Sequence, residues 1–333
     1  MATFKLSPFR DVFSAPNSSD RIHTYDGNDT IWANGGNDTV YGGNDIDWLF
    51  GGSGNDRLYG KLGEDWLAGD SGNDYIDGGR GNDRMEGGTG NDSFIVSDEG
   101  DLVIEKAGEG TDRVTAYLSQ DMLSYKLHDN VENVRAIGGF DNWWYFVWGN
   151  DLDNHIQAIS RSTNTDLFRV FGRDGDDTLV GSNTADWLEG GDDDDIFLGN
   201  AGDDRLYGDN GDDILEGGSG NDTLRGYGGA NDIDTLKGDT LKEDSGRDTF
   251  VLAVNGSTPY ANGPGHAIIQ DFDPLEDKIQ LGSKNGFTLR QGNYDNDRSG
   301  DDTAIFYGSP NSTSLVGIVI DQLLYSLNES YFV

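Results

Sequence analysis

The feature that most constrains this chain is a nine-residue repeat with an aspartate at a fixed place. Counted in nines from residue 24, Asp occupies the sixth place of eight consecutive units, and an apolar residue follows two places later. The segments GGSGNDRLY (51–59) and GGRGNDRME (78–86) show the whole unit, with Gly at the first and fourth places. A fixed period of this kind predicts a solenoid, in which every repeat stacks on its neighbours.

The aspartates form two arrays. The first array spans residues 24–96 and the second spans residues 172–252, where the spacing breaks after Asp222 and resumes for one more step. The predicted metal ligands of the first array are Asp29, Asp38, Asp47, Asp56, Asp65, Asp74, Asp83 and Asp92. Those of the second array are Asp177, Asp186, Asp195, Asp204, Asp213, Asp222, Asp239 and Asp248.

Each residue type in the unit has a physical reason to stand where it does. Gly permits backbone angles that a Cβ would forbid, so a tight turn can direct its carbonyl oxygens inward. Asp adds a short carboxylate to those carbonyls, and hard oxygen ligands are the ones that calcium prefers. The apolar residue two places later points into the core while its neighbours face out. Two units therefore complete one coil, with turns alternating between two opposite edges.

The charge of the chain points to the same ligand. The 333 residues carry 61 Asp plus Glu against 23 Lys plus Arg, a formal net charge of −38, and only 34% are hydrophobic. Such a composition favours disorder unless a cation neutralises it. It also disfavours nucleic acid and anionic membranes as partners, and no apolar stretch approaches the roughly 18 residues of a membrane span. Calcium is the expected cation.

The units resemble the nonapeptide GGxGxDxUx of the RTX family of secreted bacterial calcium-binding proteins. The resemblance covers residues 24–96 and 172–225, with a weaker tail to about residue 252. It implies an all-β parallel β-roll, a calcium-binding β-solenoid, in which each ion lies between aspartates 18 residues apart on one edge. About ten calcium ions would then bind as structural cofactors.

Some units depart from the repeat. Thr24 and Ala33 stand at the first Gly place, and Asp45, Thr184 and Asp193 stand at the fourth. We therefore expect the calcium sites near these residues to be weaker or vacant. Asp92 is taken as the end of the first array, so its removal is expected to cost less than removal of an aspartate inside the array.

The remaining segments lose the period. Apolar residues alternate with polar ones in 100–119 and 129–139, which predicts strands that continue the coil without calcium, although a separately folded domain is the alternative. The final residues, NESYFV, resemble the uncleaved signal that a type I secretion apparatus reads. The predicted segments are an N-terminal cap (1–23), array 1 (24–96), a calcium-free β spacer (97–171), array 2 (172–252) and a C-terminal β cap (253–333).

Residues Trp143–Trp148 form an aromatic run inside the spacer, where small polar residues are expected. In a strand, Trp143, Tyr145 and Val147 would face one way, and Trp144, Phe146 and Trp148 the other. Either both faces are buried, or one face is left for self-association or for a glycan, since aromatic rings suit sugar rings.

No catalytic constellation is visible in the sequence. The four histidines are scattered, and neither an HExxH nor a GxSxG motif occurs. Only about 23 residues precede the first array, too few for the active domain that RTX enzymes place there. We therefore expect a non-enzymatic, secreted structural protein of the bacterial surface or matrix that folds on calcium after type I export. A calcium-dependent carbohydrate-binding or adhesion module is the alternative.

Overall fold

The computed structural model forms two compact units, Met1–Asn150 and Asp151–Val333, each described here by itself. Every regular element among the described residues is a β-strand, and none of these residues forms a helix long and apolar enough to span a membrane. The structure describes residues 1–139, 143–161, 166–226, 233–237, 246–252, 266–281, 287–292, 302–309, 312–320, 324 and 332.

Unit 1 is built from short strands that recur every nine residues in the array. They are β1 (Ala2–Lys5), β2 (Val12–Ser14), β3 (Asp20–Tyr25), β4 (Thr30–Trp32), β5 (Thr39–Asn44), β6 (Trp48–Ser53), β7 (Arg57–Leu62), β8 (Trp66–Ser71), β9 (Tyr75–Arg80), β10 (Arg84–Thr89), β11 (Ser93–Val96), β12 (Leu102–Ile104), β13 (Arg113–Tyr117), β14 (Ser124–Lys126), β15 (Asn133–Ile137) and β16 (Trp144–Trp148).

Successive strands of unit 1 from β1 to β13 alternate between two parallel sheets, and β14 pairs with β16 in a further sheet. The odd-numbered strands β1 to β15 form one sheet, and the even-numbered strands β2 to β12 form the other. Strands of the array pair with a shift of 18 residues, so that Val40 lies opposite Leu58 and Leu49 lies opposite Leu67. Two nonapeptides therefore make one coil, as the sequence predicts.

The core of array 1 and its neighbouring coils is built mainly from the apolar residues that follow each ladder Asp by two places. They stack in two columns, one in each sheet, because the 18-residue register places like positions side by side. Each is fully buried or nearly so, namely Ile22, Val40, Leu58, Ile76, Phe94 and Val114 in one column and Ile31, Leu49, Leu67, Met85 and Val103 in the other. The core is only one large side chain deep from each sheet.

The fourth place of most nonapeptides has a left-handed backbone. Gly54 has φ +123°, and a Cβ on it would overlap the carbonyl oxygen of Gly36 in the preceding coil. Asp45 and Asp193 adopt φ +74° and +80° at this place. Asp tolerates this conformation better than most residues do, so the turn survives the substitution.

Parallel pairing extends past the array at both ends of unit 1. Strand β1 pairs with β3, and β2 pairs with β4, so residues before 24 already form a coil. At the other end β13 pairs with β11 and β15 with β13, each with a shift of 20 residues. The coils are thus two residues longer in this part of the spacer.

Unit 2 repeats the alternation of short parallel strands. Its strands are β17 (His155–Ile159), β18 (Leu167–Asp174), β19 (Thr178–Val180), β20 (Trp187–Asp192), β21 (Ile196–Ala201), β22 (Arg205–Asp209), β23 (Ile214–Ser219), β24 (Thr223–Arg225), β25 (Ile233–Lys237), β26 (Thr249–Val251), β27 (His266–Gln270), β28 (Lys278–Gln280), β29 (Phe287–Gly292), β30 (Asp302–Ser309) and β31 (Ser312–Val319).

The C-terminal part of unit 2 changes from parallel to antiparallel pairing. Strands β17 to β28 continue the two-sheet alternation, with β24 pairing with β26 and β26 with β28. Strand β31 then pairs in parallel with β27, and β30 pairs antiparallel with both β29 and β31. The predicted all-β parallel β-roll is confirmed by this architecture.

Candidate metal sites

Hydrogen bonds join the aspartates of each edge into a ladder. The backbone N–H of Asp47 donates to Asp65 Oδ1 at 2.8 Å, and that of Asp65 donates to Asp83 Oδ1 at 2.8 Å. On the opposite edge, the N–H of Asp56 donates to Asp74 Oδ1 at 2.7 Å. The predicted stacking of aspartates 18 residues apart is therefore present, with one carboxylate oxygen of each fixed by the coil before it.

The second carboxylate oxygen, Oδ2, lies buried in most of the turns. The residues themselves are almost completely enclosed, with Asp47 0% and Asp56 1% exposed. A buried carboxylate oxygen needs a positive charge or a proton to offset its lost hydration. The buried Oδ2 atoms without a hydrogen-bond partner include those of Asp29, Asp38, Asp47, Asp56, Asp65, Asp74, Asp83, Asp92, Asp177, Asp195 and Asp204.

Glycine at the first place of the unit leaves room beside Oδ2. A Cβ built on Gly42 would lie 2.5 Å from Asp47 Oδ2 and 2.9 Å from the carbonyl oxygen of Gly60. The same crowding recurs at Gly51, whose Cβ would lie 2.5 Å from Asp56 Oδ2. A carboxylate oxygen and a carbonyl oxygen from successive coils therefore converge on a space that only glycine leaves open.

Burial raises the pKa of these carboxyl groups. The pKa is about 8 for Asp47 and about 7 for Asp74, and neighbouring carboxylates of the ladder add to the effect of burial. In unit 2 the same causes raise the pKa of Asp195 and Asp204 to about 9. Burial therefore disfavours the charged form of these carboxyl groups, and a bound cation would offset that cost.

The donor set fits calcium. Calcium takes about six to eight oxygen ligands at about 2.3–2.6 Å from carboxylates and backbone carbonyls, the two donor types that meet here. The chain has no Cys, which excludes a thiolate site. The ladder aspartates and the first-place glycine carbonyls would hold the ion. A bound ion would supply positive charge between coils, which neutralises the buried carboxylates and links one coil to the next.

Some turns are closed by hydrogen bonds to both oxygens. Asp101 continues the ladder by accepting the N–H of Asp83, but its Oδ2 accepts N–H bonds from Ser97 and Asp98 at 3.0 and 3.1 Å. Asp277 near the C-terminus likewise accepts the N–H of Asp273 through Oδ2 at 2.8 Å. These carboxylates satisfy both oxygens within the protein, so the turns resemble caps of the ladder rather than ion sites.

Both carboxylate oxygens of Asp186 are likewise hydrogen-bonded within the protein. Its Oδ1 accepts the N–H of Phe168 at 2.9 Å, and its Oδ2 accepts both the N–H and the hydroxyl of Ser182 at 2.6 and 2.9 Å. Thr184, at the fourth Gly place, contacts the Ser182 hydroxyl at 2.9 Å. The polar side chains that replace glycine thus supply hydrogen-bond partners to the carboxylate, and the weaker calcium site expected here stays a prediction.

The end of array 2 does not follow the nine-residue count. Asp213 donates its N–H to Asp234, 21 residues later, and Asp222 donates to Asp248, 26 residues later. Asp248 in turn donates to Asp277. Asp234 therefore occupies a ladder position that the sequence analysis missed, and the predicted ligand Asp239 lies outside the described residues.

The ladder also contains residues of unit 1 that the sequence analysis missed. The backbone N–H of Asp20 donates to Asp38 Oδ1 at 2.6 Å, and the backbone N–H of Asp92 donates to Asp112 Oδ1 at 2.7 Å. Asp20 and Asp101 lie nine residues before Asp29 and nine after Asp92, so one further step of the period in each direction finds them. Asp112 follows the longer coil and has no such signal.

The aromatic run has one buried face and one partly exposed face. Tyr145 and Val147 are fully buried, whereas Trp144 is 44% exposed. On the outer face the rings of Phe146 and Trp148 stack at 5.8 Å. Trp143 precedes strand β16 and is also exposed, so it does not share the buried face of Tyr145 and Val147, with which the sequence aligned it. Burial of both faces is therefore not what the structure shows.

The fold and the turns together define a calcium-binding β-roll. The family model of the RTX calcium-binding nonapeptide repeat matches both arrays, at residues 17–49, 34–67, 41–74, 59–94, 171–206 and 207–241. Both arrays therefore carry RTX calcium-binding nonapeptide repeats. A search of curated proteins finds no match to it.

Proposed function

We propose that this protein is a secreted structural component of a bacterial surface or matrix that folds when it meets calcium outside the cell. The observation that carries the proposal is the pair of ladders in which buried Oδ2 atoms, such as that of Asp47, have no hydrogen-bond partner. The extracellular and type I export parts of the proposal rest on the family resemblance and on the strongly acidic composition.

The energetics of one nonapeptide support folding on calcium. Burial of its apolar residue stabilises the roll by about 1.5–3 kcal/mol. Burial of an uncompensated carboxylate costs several kcal/mol, so the two contributions nearly cancel before chain entropy is counted. A site with calcium at about 10–100 times its dissociation constant adds about 1.4–2.7 kcal/mol. Calcium binding and folding thus become one event, and the chain stays unfolded where calcium is scarce.

The export part is tested in a bacterium that carries a type I secretion apparatus. The full chain is expressed with and without the apparatus, and the protein is quantified in the medium and in the cells. We expect the protein in the medium only when the apparatus is present, in a protease-resistant form at millimolar calcium. Retention of the chain in the cells despite a working apparatus would contradict this route.

A calcium-dependent carbohydrate-binding or adhesion module is the second candidate, because the outer face of strand β16 presents Trp144 and the stacked Phe146 and Trp148. Self-association through Trp143–Trp148 is the other use of that face. A glycan array with and without calcium distinguishes the two uses, since only the carbohydrate module retains glycans. We propose no enzymatic activity for either form.

A further inference from the structure

The coil that follows array 1 carries a carboxylate where the preceding coils carry glycine. Glu105 stands 18 residues after Gly87, on the edge whose earlier coils place Gly51 and Gly69 there. Its Oε1 accepts the backbone N–H of Gly87 at 3.0 Å. The Glu105 side chain therefore reaches into the space that a neighbouring Gly carbonyl borders in the other turns.

Two more carboxylates meet Glu105 at this point. Asp112 closes the longer coil and accepts the N–H of Asp92 through Oδ1 at 2.7 Å. One carboxylate oxygen each from Asp92, Glu105 and Asp112 lies within 4.8 Å of the others. The residues are 2%, 6% and 1% exposed.

A second observation is that two carboxylate oxygens of this cluster lack hydrogen-bond partners. Asp92 Oδ2 and Glu105 Oε2 are buried and have no hydrogen-bond partner. Lys106, the adjacent cation, pairs with Glu86 and Glu109 instead. The three carboxylates therefore face each other with no protein cation between them among the described residues.

We propose that Asp92, Glu105 and Asp112 hold a calcium ion that closes array 1. Three carboxylates suit calcium, which accepts oxygen ligands in a flexible arrangement, better than Mg²⁺, which demands near-ideal octahedral geometry and usually keeps several of its waters. Three side-chain carboxylates bring more negative charge than a turn whose first place is glycine, so this ion binds more tightly than those inside the array. The site extends calcium binding into the spacer, which the sequence predicts to be calcium-free.

The first test compares Glu105→Gln with Glu99→Gln in the full chain. Glu99 is an exposed carboxylate in the same connecting segment, so its variant controls for the loss of one charge. Equilibrium dialysis at saturating calcium is expected to show one ion fewer for E105Q and the wild-type count for E99Q. Isothermal titration is expected to show loss of the tightest-binding component in E105Q alone. A wild-type count and titration for E105Q would overturn the proposal.

The second test needs no variant, so it can show whether an ion binds at this site even if E105Q does not fold. Crystals of the wild-type protein grown in calcium are soaked in terbium, and anomalous difference maps are calculated. We expect a peak between Asp92, Glu105 and Asp112. Peaks at the array turns without one at these residues would overturn the proposal, while leaving the calcium function of the arrays intact. This inference rests on that function, and the two failures are distinguishable in the same map.

Discussion

Asp74 accepts the backbone N–H of Asp56 through Oδ1 at 2.7 Å, while its Oδ2 is buried without a hydrogen-bond partner. The two oxygens of one carboxylate therefore have different structural roles. Oδ1 sets the position of the side chain relative to the previous coil, and Oδ2 faces the space left by glycine. Because every coil fixes the carboxylate of the next, the sites are coupled along each edge.

Neutralising one ladder carboxylate is expected to weaken calcium binding without breaking the ladder. In Asp65→Asn, the amide oxygen can still accept the N–H of Asp47, but a neutral amide NH₂ replaces Oδ2. We expect fewer bound calcium ions and a loss of about 1.4–2.7 kcal/mol of unfolding free energy per lost site. Calcium titration calorimetry and urea unfolding in calcium measure the two effects.

The control for this variant lies next to it in the chain. Glu64→Gln removes the same charge from an exposed side chain in the same turn. It should leave the calcium count unchanged and alter the unfolding free energy by less than about 0.5 kcal/mol. Equal effects of the two substitutions would show that only net charge matters, which contradicts the role of the buried oxygen.

Adding a methyl group at a first-place glycine is expected to damage one calcium site. In Gly42→Ala the new Cβ would lie 2.5 Å from Asp47 Oδ2, although the φ angle there is not left-handed. Gly108→Ala provides the contrast, because Gly108 has φ +79° and nothing within 4 Å of a Cβ. Calorimetry should show one weakened site for Gly42→Ala and none for Gly108→Ala, which costs only about 1–2 kcal/mol of backbone strain. A weakened calcium site in Gly108→Ala and none in Gly42→Ala would contradict the proposed arrangement of ligands beside Gly42.

Acid is expected to stabilise the calcium-free roll. Burial raises the pKa of Asp47 to about 8 and that of Asp195 to about 9, against about 3.9 in an unfolded chain. Groups whose pKa is raised in the folded state stabilise it fully below about pH 4, and that stabilisation is lost as the pH rises from there to the folded pKa values of about 8 and 9. Calcium-free protein should therefore gain β circular dichroism on acidification. Calcium-loaded protein should show the opposite trend, because protons displace the ion.

The outer face of β16 is expected to be dispensable for folding. Trp144→Ser combined with Trp148→Ser should abolish self-association or glycan binding while calcium-induced folding survives, because Trp144 is 44% exposed. Tyr145→Ser, at a fully buried position of the same strand, should instead cost about 3–5 kcal/mol. Sedimentation and circular dichroism in calcium report the two properties. A double variant that fails to fold would show that the outer aromatic rings are part of the core.

Much of the fold follows from the sequence because one short unit specifies both turn and strand. The place of Leu58 two residues after Asp56 predicts its burial, and the 18-residue spacing of Asp47 and Asp65 predicts that they stack on one edge, where the structure shows a hydrogen bond between them. Each prediction needs only the alternation of side chains in a strand and a constant coil length. Where the coil length is constant, the sequence alone predicts which aspartates share an edge, and calcium binding by them stays a prediction.

The rest could not be predicted because coil length changes outside the arrays. Asp112 and Asp234 join the ladder after coils of 20 and 21 residues, and a nine-residue count passes over both. Asp92 therefore is not the end of its ladder, and the expectation that its removal costs less than removal of an inner aspartate loses its basis. Glu105 falls at the first place of the nine-residue count, but its contact with the neighbouring coil becomes clear only when Gly87 lies beside it.

The most direct test of the account is far-ultraviolet circular dichroism of the full chain as calcium is added at physiological salt. With a net charge of −38 and buried carboxylates in the described turns of both arrays, the chain is expected to be largely disordered in EDTA. The β signal is expected to rise cooperatively as free calcium passes through about 0.1–1 mM. A chain that shows the full β signal in EDTA at neutral pH, unchanged by calcium, would contradict it.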